Sequence, residues 1–394
     1  MSALQRVAVV GSGYMGGGIA QVLALAGADV VLGDADAEIA AASLERLLSQ
    51  GDRFEADGLF PAGSAQRLRE RLSAADSIED AVADAEYVTE AVPEVRAIKA
   101  DVLARVSAAA PVGAIIGSNT SAIPITELAQ SVTGRERFLG VHWMNPAPFV
   151  PGIELIPTAD TDPAVVDRIE SFVRGAGKVP ARVADSPGFV ANRLQFALYQ
   201  EAVRMVEEGL VTPEQVDLVV SNAFGFRLAL FGPFAIADMA GLDVYHNAYG
   251  SLEAEYGERL AAPARLAELV SEGHLGLKSG GEGFLKIDPT KSAELVEYRD
   301  RAYAALSRLR AELKLPLWKY AHASVSAVLD EVGIARRAAC AIDKATSVFP
   351  PDSSIRYARL FEAIGCSGCT CSAFLYEAIA WSRCPCADTS NRST

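Results

Sequence analysis

A short apolar run, Val7-Ala8-Val9-Val10, breaks into Gly11-Ser12-Gly13-Tyr14-Met15-Gly16 and resumes as an uncharged stretch from Ile19 to Ala26. That order restricts the chain to a strand, a sharp turn and a helix. Gly11 permits the turn, Gly13 lets a pyrophosphate approach the backbone, and Gly16 lets the helix pack closely on the strand. The phosphates would sit on free N–H groups at the helix N-terminus, where the dipole favours negative charge, with Tyr14 and Met15 among the expected cofactor contacts. A second apolar run, Val30-Val31-Leu32-Gly33, ends at Asp34. At that spacing a carboxylate accepts hydrogen bonds from the ribose hydroxyls of an adenosine. Asp34 and the nearby Asp36 would repel a 2′-phosphate, so the expected dinucleotide is NAD rather than NADP.

At 394 residues the chain has room for two domains and an appendage. Its net charge of −14 argues against nucleic acid or an anionic membrane as partner, though a local patch can still receive an anionic substrate. The uncharged stretch Val7–Ala28 is long enough to span a bilayer, but six glycines punctuate it as a turn. No basic segment or cleavage site precedes the first strand, so the cytoplasm is the expected compartment. All six cysteines lie between Cys340 and Cys386, leaving a main body without disulfides, as a reducing compartment predicts.

Strand-like runs recur at Val7–Val10, Val30–Leu32, Tyr87–Ala91, Ala114–Gly117, Phe138–His142, Ile153–Pro157 and Val179–Val183, with helical patterns such as Ile98–Val106 and Val165–Phe172 between them. The rhythm predicts an α/β fold with a mainly parallel, doubly wound sheet over residues 1–185. Ala37–Leu72 departs from it as a long charged helical excursion. Ser186-Pro187-Gly188-Phe189 then carries helix-start signals, a serine N-cap and a proline at the first helical position, predicting a helix from Phe189 to about Glu208. Further starts and breaks at Thr212-Pro213, Gly232-Pro233 and Gly241-Leu242 predict an all-α domain over residues 186–315. Residues 316–394 read as an extension of uncertain order. Its cysteine spacing permits a zinc site, but no second paired-cysteine motif supports one, so no metal is expected.

Among four histidines, only His142 falls at the C-terminal end of a strand in the alternating region, where ligands of open α/β sheets bind. Glu154 sits in the apolar strand Gly152–Pro157, where an unpaired carboxylate would cost several kcal/mol. It therefore needs a partner, and the preceding strand offers His142. A carboxylate on one ring nitrogen fixes the tautomer and raises the basicity of the other, which makes a general base. Ser121 follows another apolar strand and should face the same crevice. Asn192 falls on one helical face with Phe189, Phe196 and Tyr199, where it either meets a substrate oxygen or packs the helix.

Taken together, the motifs GSGYMGGGIAQ, TEAVPE with Lys99, SNTS, HWMNP, the glutamate twelve residues beyond His142, PGFVANR, GPFAIADMAGLD and GLKSGGEGF resemble the L-3-hydroxyacyl-CoA dehydrogenase family over about residues 4–286. The resemblance implies a Rossmann-type NAD-binding domain followed by an all-α domain that binds substrate and dimerises. It implies that His142 takes the hydroxyl proton while hydride passes to the nicotinamide, and that Glu154 orients His142. Ser121 and Asn192 would hold the substrate oxygen, with Asn145 supporting the histidine loop. Glu94 and Lys99 would lie near the nicotinamide ribose and the substrate mouth.

Two departures bear on the substrate. The histidine loop lacks the lysine common in acyl-CoA members near Gly152, and acids outnumber arginines in Ser43–Asp57, a poor surface for a 3′-phospho-ADP group. The motifs around Glu154, Asn192 and Tyr298 are similar to the subgroup containing lambda-crystallin (gulonate 3-dehydrogenase), carnitine dehydrogenase and a pyridine-alcohol dehydrogenase. The expected substrate is thus a 3-hydroxyacyl-CoA resembling 3-hydroxybutyryl-CoA, or a small 3-hydroxy acid or alcohol. A non-catalytic, crystallin-like NAD-binding protein would show erosion of the proton-transfer pair, which is intact. A homodimer is expected from the apolar faces of the helical domain.

Overall fold

The computed structural model describes residues 4–313. The expected extension and its cysteines lie outside the described residues. The described chain falls into two compact units that divide between Tyr199 and Gln200.

The first unit is built on one eight-stranded sheet: β1 (Arg6–Val10), β2 (Asp29–Gly33), β3 (Leu72–Ala74), β4 (Tyr87–Glu90), β5 (Ile115–Ser118), β6 (Phe138–Trp143), β7 (Gly152–Pro157) and β8 (Val179–Arg182). Their spatial order is β3-β2-β1-β4-β5-β6-β7-β8, with every neighbouring pair parallel except β6 and β7. The order reverses between β1 and β4, leaving a crevice beyond their carboxyl ends. Strand β3 was not expected. Three residues are too few to show a period, and the segment reads as the end of a helix instead.

The sheet separates two cores, and alternation along each strand assigns residues to them. Val7 and Val9 of β1 join one core with Tyr87, Ile115, Leu139 and Leu155, whereas Ala8 and Val10 join the other with Val88, Ile116, Phe138 and Ile156. Strands covered on both faces must be apolar on both, which is why they read as continuous runs.

Connecting helices of this unit are α1 (Tyr14–Leu25), α2 (Ala37–Ala56), α3 (Ser64–Arg71), α4 (Ile78–Val82), α5 (Arg96–Ala109), α6 (Ile125–Leu128) and α7 (Pro163–Gly175). The predicted single excursion is therefore two helices, α2 and α3, broken at Gly58 and Gly63, both in the left-handed region.

Helix α8 (Ala191–Glu207) starts two residues later than expected. Gly188 at φ +75° and Phe189 at φ +49° are incompatible with a right-handed helix, so Ser186 and Pro187 precede a turn instead of capping α8. Phe189 is buried in the second core, while Phe196 and Tyr199 are exposed, so the aromatic face expected around Asn192 does not form within the chain.

The second unit holds the rest of α8 with α9 (Pro213–Asn222), α10 (Phe224–Leu228), α11 (Pro233–Ala240), α12 (Leu242–Tyr256), α13 (Ala264–Ser271) and α14 (Ser292–Leu313). Thr212 and Gln215 close a capping box at the start of α9, as the sequence predicts for Thr212. Buried Asp238 of α11 accepts the backbone N–H groups of Phe284 and Leu285, tying the GLKSGGEGF loop to that helix. Helices α9, α10 and α14 bury none of their side chains. No helix among the described residues is long and apolar enough to cross a membrane.

Candidate functional site

The glycine-rich turn is enforced by close contacts. Gly11 lies at φ +92°, and a Cβ there would meet the carbonyl carbon of Ala91 at 2.7 Å. A Cβ on Gly16 would fall 1.8 Å from the Gly11 carbonyl oxygen, so α1 can approach β1 only through glycine. A Cβ on Gly13 would meet nothing within 4 Å. The approach to that backbone is open, and the first turn of α1 has neither a side-chain cap nor an acid. Those free N–H groups and that open approach suit the pyrophosphate of a dinucleotide. Tyr14 is half exposed and Met15 packs against the first core.

Asp34 has a duty the sequence does not reveal. Its Oδ2 accepts both the N–H of Ser12, at 2.6 Å, and the Ser12 hydroxyl, at 2.5 Å, while Oδ1 accepts the Ala35 N–H. Of the about four acceptor positions of a carboxylate, three are filled by the protein. Asp34 thus fixes the glycine-rich loop and keeps one position for a ribose hydroxyl.

His142 and Glu154 face each other in the β6–β7 register, because the reversed direction of β7 puts its first residues beside the last of β6. Both are nearly fully buried, and Nδ1 of His142 lies 2.9 Å from Oε2 of Glu154. The other oxygen, Oε1, accepts the N–H groups of Val190 and Ala191, both at 2.9 Å. Glu154 therefore also caps α8, the place sequence reasoning gave to Ser186. Burial acts to raise the Glu154 carboxyl, but the hydrogen bonds from His142, Ala191 and Val190 outweigh it and hold the group below the usual carboxylate range. Phe189 packs 5.6 Å from the His142 ring.

Ser121 and Asn192 are brought together: Nδ2 of Asn192 donates to the Ser121 carbonyl at 2.8 Å. Asn192 is half-buried on the first turn of α8. Glu94 accepts the Thr120 hydroxyl and the N–H groups of Ser121 and Ala122.

Two expected roles need correction. Asn145 is exposed, and its side chain makes no hydrogen bond among the described residues. The histidine loop is held instead by Asn119, whose Oδ1 accepts the Trp143 N–H, and by Lys178, whose ammonium donates to the carbonyls of Ala147 and Val150 and lies 5.5 Å from the Trp143 ring. Burial lowers the Lys178 pKa. Lys99 is likewise buried rather than open to a mouth. It is 1% exposed, with its ammonium on Oε1 of Glu90 at 2.8 Å, the Val92 carbonyl at 3.0 Å and Glu94 at 3.4 Å. Glu90 was missed, although a glutamate in the apolar run Tyr87–Ala91 demands a partner by the argument that singled out Glu154.

A cavity of about 820 Å³ lies between α1, α2 and the histidine loop, lined by Tyr14, Arg46, Arg53, Phe54 and Phe149 among others. Arg46 donates to the Ser12 carbonyl and Arg53 stands over the Phe54 ring, and among the described residues neither pairs with a carboxylate. Of the acids in this segment only Glu45 lines the cavity. Asp52 pairs with Arg69, and Glu55 accepts the N–H groups of Gly63 and Ala65. The excess of acids therefore does not describe this surface, which Arg46 and Arg53 reach with Glu45 alone among the acids of Ser43–Asp57. Among the described residues no cluster of ligating side chains could hold a metal.

A family profile described as “3-hydroxyacyl-CoA dehydrogenase, NAD binding domain” matches residues 6–186, and its companion, “3-hydroxyacyl-CoA dehydrogenase, C-terminal domain”, matches residues 188–286. The chain belongs to the 3-hydroxyacyl-CoA dehydrogenase family. Its cofactor is NAD. This dehydrogenase is 37% identical, over 78% of its length and 98% of the relative's, to 5-formyl-3-hydroxy-2-methylpyridine 4-carboxylate 5-dehydrogenase of Mesorhizobium japonicum. It is 35% identical to L-carnitine dehydrogenase of Streptomyces griseus, covering 79% of this chain and 91% of that one. The solved 3-hydroxyacyl-CoA dehydrogenase of Archaeoglobus fulgidus superposes with a TM-score of 0.63 at 32% identity, covering 77% and 99% of the two chains.

Proposed function

We propose that this dehydrogenase oxidises the C3 secondary alcohol of a 3-hydroxyacyl-CoA, or of a closely similar small hydroxy acid, to the 3-oxo product. The buried contact between His142 and Glu154 carries this reading. An ionised carboxylate at Nδ1 favours the tautomer with its proton there, which leaves the Nε2 lone pair to take the hydroxyl proton. The same carboxylate then stabilises the imidazolium that forms, and its capping of α8 keeps it from turning away. Base action of this kind contributes about 10²–10⁴-fold. Ser121 offers its hydroxyl, and Asn192 its second amide N–H, to the substrate oxygen. Gly11, Gly13, Tyr14, Met15, Gly16 and Asp34 would hold NAD, which supplies the hydride acceptor when bound.

The guanidinium groups of Arg46 and Arg53, neither paired with a carboxylate among the described residues, support a substrate with an anionic handle, either the phosphates of coenzyme A or a carboxylate. The relatives above are named for a pyridine carboxylate, for carnitine and for a coenzyme A thioester, and each class is a candidate here. Comparing kcat/KM for 3-hydroxybutyryl-CoA, gulonate, carnitine and 3-hydroxybutyrate, by NADH absorbance, discriminates among them. Failure to turn over any of them despite tight NADH binding defeats the catalytic reading. A homodimer is proposed on the helices that bury none of their side chains, and a solution mass equal to one chain would reject it.

A further inference from the structure

Ser121 is gripped through its backbone from two sides. Its N–H donates to Oε1 of Glu94 at 3.0 Å, and its carbonyl accepts from Nδ2 of Asn192 at 2.8 Å. Glu94 Oε1 also takes the Ala122 N–H at 3.0 Å and the Thr120 hydroxyl at 2.6 Å. Three donors converging on one oxygen call for a full negative charge there. The other oxygen, Oε2, faces the Lys99 ammonium at 3.4 Å.

Lys99 cannot follow Glu94 outward, because it is bonded to Glu90 at 2.8 Å and Glu90 is in turn bonded to the Ser118 hydroxyl at 2.5 Å. Glu90 is fully buried and Lys99 almost so. A low-dielectric ion pair with satisfied hydrogen bonds is a rigid footing. The chain of contacts therefore runs from the sheet interior through Lys99 and Glu94 to the peptide of Ser121, while the Ser121 hydroxyl makes no bond among the described residues.

We propose that Glu94 is a positioning residue for Ser121, fixing where its hydroxyl meets the substrate oxygen, with Lys99 and Glu90 as its support. This rests on the proposed alcohol oxidation and on Ser121 as a substrate contact. It assigns Glu94 a role separate from touching the nicotinamide ribose.

The test is a double-mutant cycle on the full-length protein. Glu94→Gln puts an amide donor either against Lys99 or against the three donors from Thr120, Ser121 and Ala122, and so spoils the grip in both orientations. Ser121→Ala removes the hydroxyl and leaves the grip intact. Glu94→Gln is expected to lower kcat by about 10-fold or more alone and by less than about 3-fold in the Ser121→Ala background, with the NADH Kd within about 2-fold of the parent. Equal effects in both backgrounds, or a loss of NADH affinity in step with kcat, overturn the proposal. Unchanged kcat in Ser121→Ala also overturns it, whereas loss of turnover in His142→Ala reports separately on the reaction itself. If Glu94→Gln does not fold, Glu94→Asp keeps the charge one methylene short, and the same non-additivity with Ser121→Ala is required of it.

Discussion

Glu154 stands directly opposite His142 in the one antiparallel pairing among the described strands, and its second oxygen caps the helix that bears Asn192. One carboxylate thus holds both the His142 ring and the start of α8. A glutamine at 154 has a single acceptor oxygen, so it either turns its amide N–H to His142, which reverses the ring's tautomer, or abandons the N–H groups of Val190 and Ala191. Glu154→Gln should lower kcat by about 100-fold and stability by about 1–3 kcal/mol. Activity assays and thermal melts check both. Loss of activity with an unchanged Tm would mean that the helix cap is dispensable.

Acid stability follows from the same group and from Glu94. In Glu94 burial acts upward, but the Thr120 hydroxyl, the Lys99 charge and the Ala122 and Ser121 N–H groups hold the carboxyl below its ordinary range. A carboxyl depressed in the native state gives stability that is complete above its unfolded value, about 4.3, and is lost as pH falls through the lower folded value. Tm should therefore decline below that pH, with a shallower decline in Glu154→Gln and Glu94→Gln. Parallel acid limbs in all three proteins would contradict the assignment.

The glycines of the turn predict opposite phenotypes. Gly16→Ala forces a carbon into the Gly11 carbonyl and should destabilise the fold by about 3 kcal/mol or more. Gly13 has a backbone any residue adopts and open space beyond it. Gly13→Ala should leave Tm unchanged while weakening NADH at least about 10-fold, or about 1.4 kcal/mol. Calorimetry and fluorescence titration separate the two, and equal NADH affinity in Gly13→Ala would place the pyrophosphate elsewhere.

Lys99→Met strands Glu90 as a buried, uncompensated charge and should cost about 3–5 kcal/mol. The double variant Glu90→Gln with Lys99→Met should recover part of that loss, measured by urea denaturation. No recovery would show that the ion pair is not what the single variant breaks.

Arg46→Gln and Arg53→Gln should each raise KM for an anionic substrate by about 10-fold or more, as loss of a hydrogen bond to a charged group does. NADH affinity should stay near the parent value. If Arg46→Gln weakens NADH instead, its guanidinium serves the dinucleotide through the Ser12 loop.

The strands were legible because a sheet covered on both faces must be written in apolar residues, and the glycine turn because each glycine answers a contact. His142 and Glu154 were legible for a related reason, a carboxylate in an apolar strand. The same argument applies to Glu90, whose partner Lys99 lies on α5. What stayed hidden depends on direction rather than composition. Counting acids and arginines over Ser43–Asp57 could not tell that Asp52 and Glu55 turn toward α3 while Arg46 and Arg53 turn toward the cavity. Lys178 carries no periodic signal, because it is placed by the fold of a loop thirty residues earlier.

His142 and Glu154, the proposed proton acceptor and the acid proposed to orient it, occupy the two arms of a single hairpin. Their mutual aim comes from strand pairing and not from the intervening residues 144–151. Four of those residues, Pro146 to Phe149, wall the cavity, so its lining can change there while the hairpin arms stay put. Substrate range and proton handling can therefore evolve as separable modules, and a loop exchanged between relatives should carry its selectivity with it.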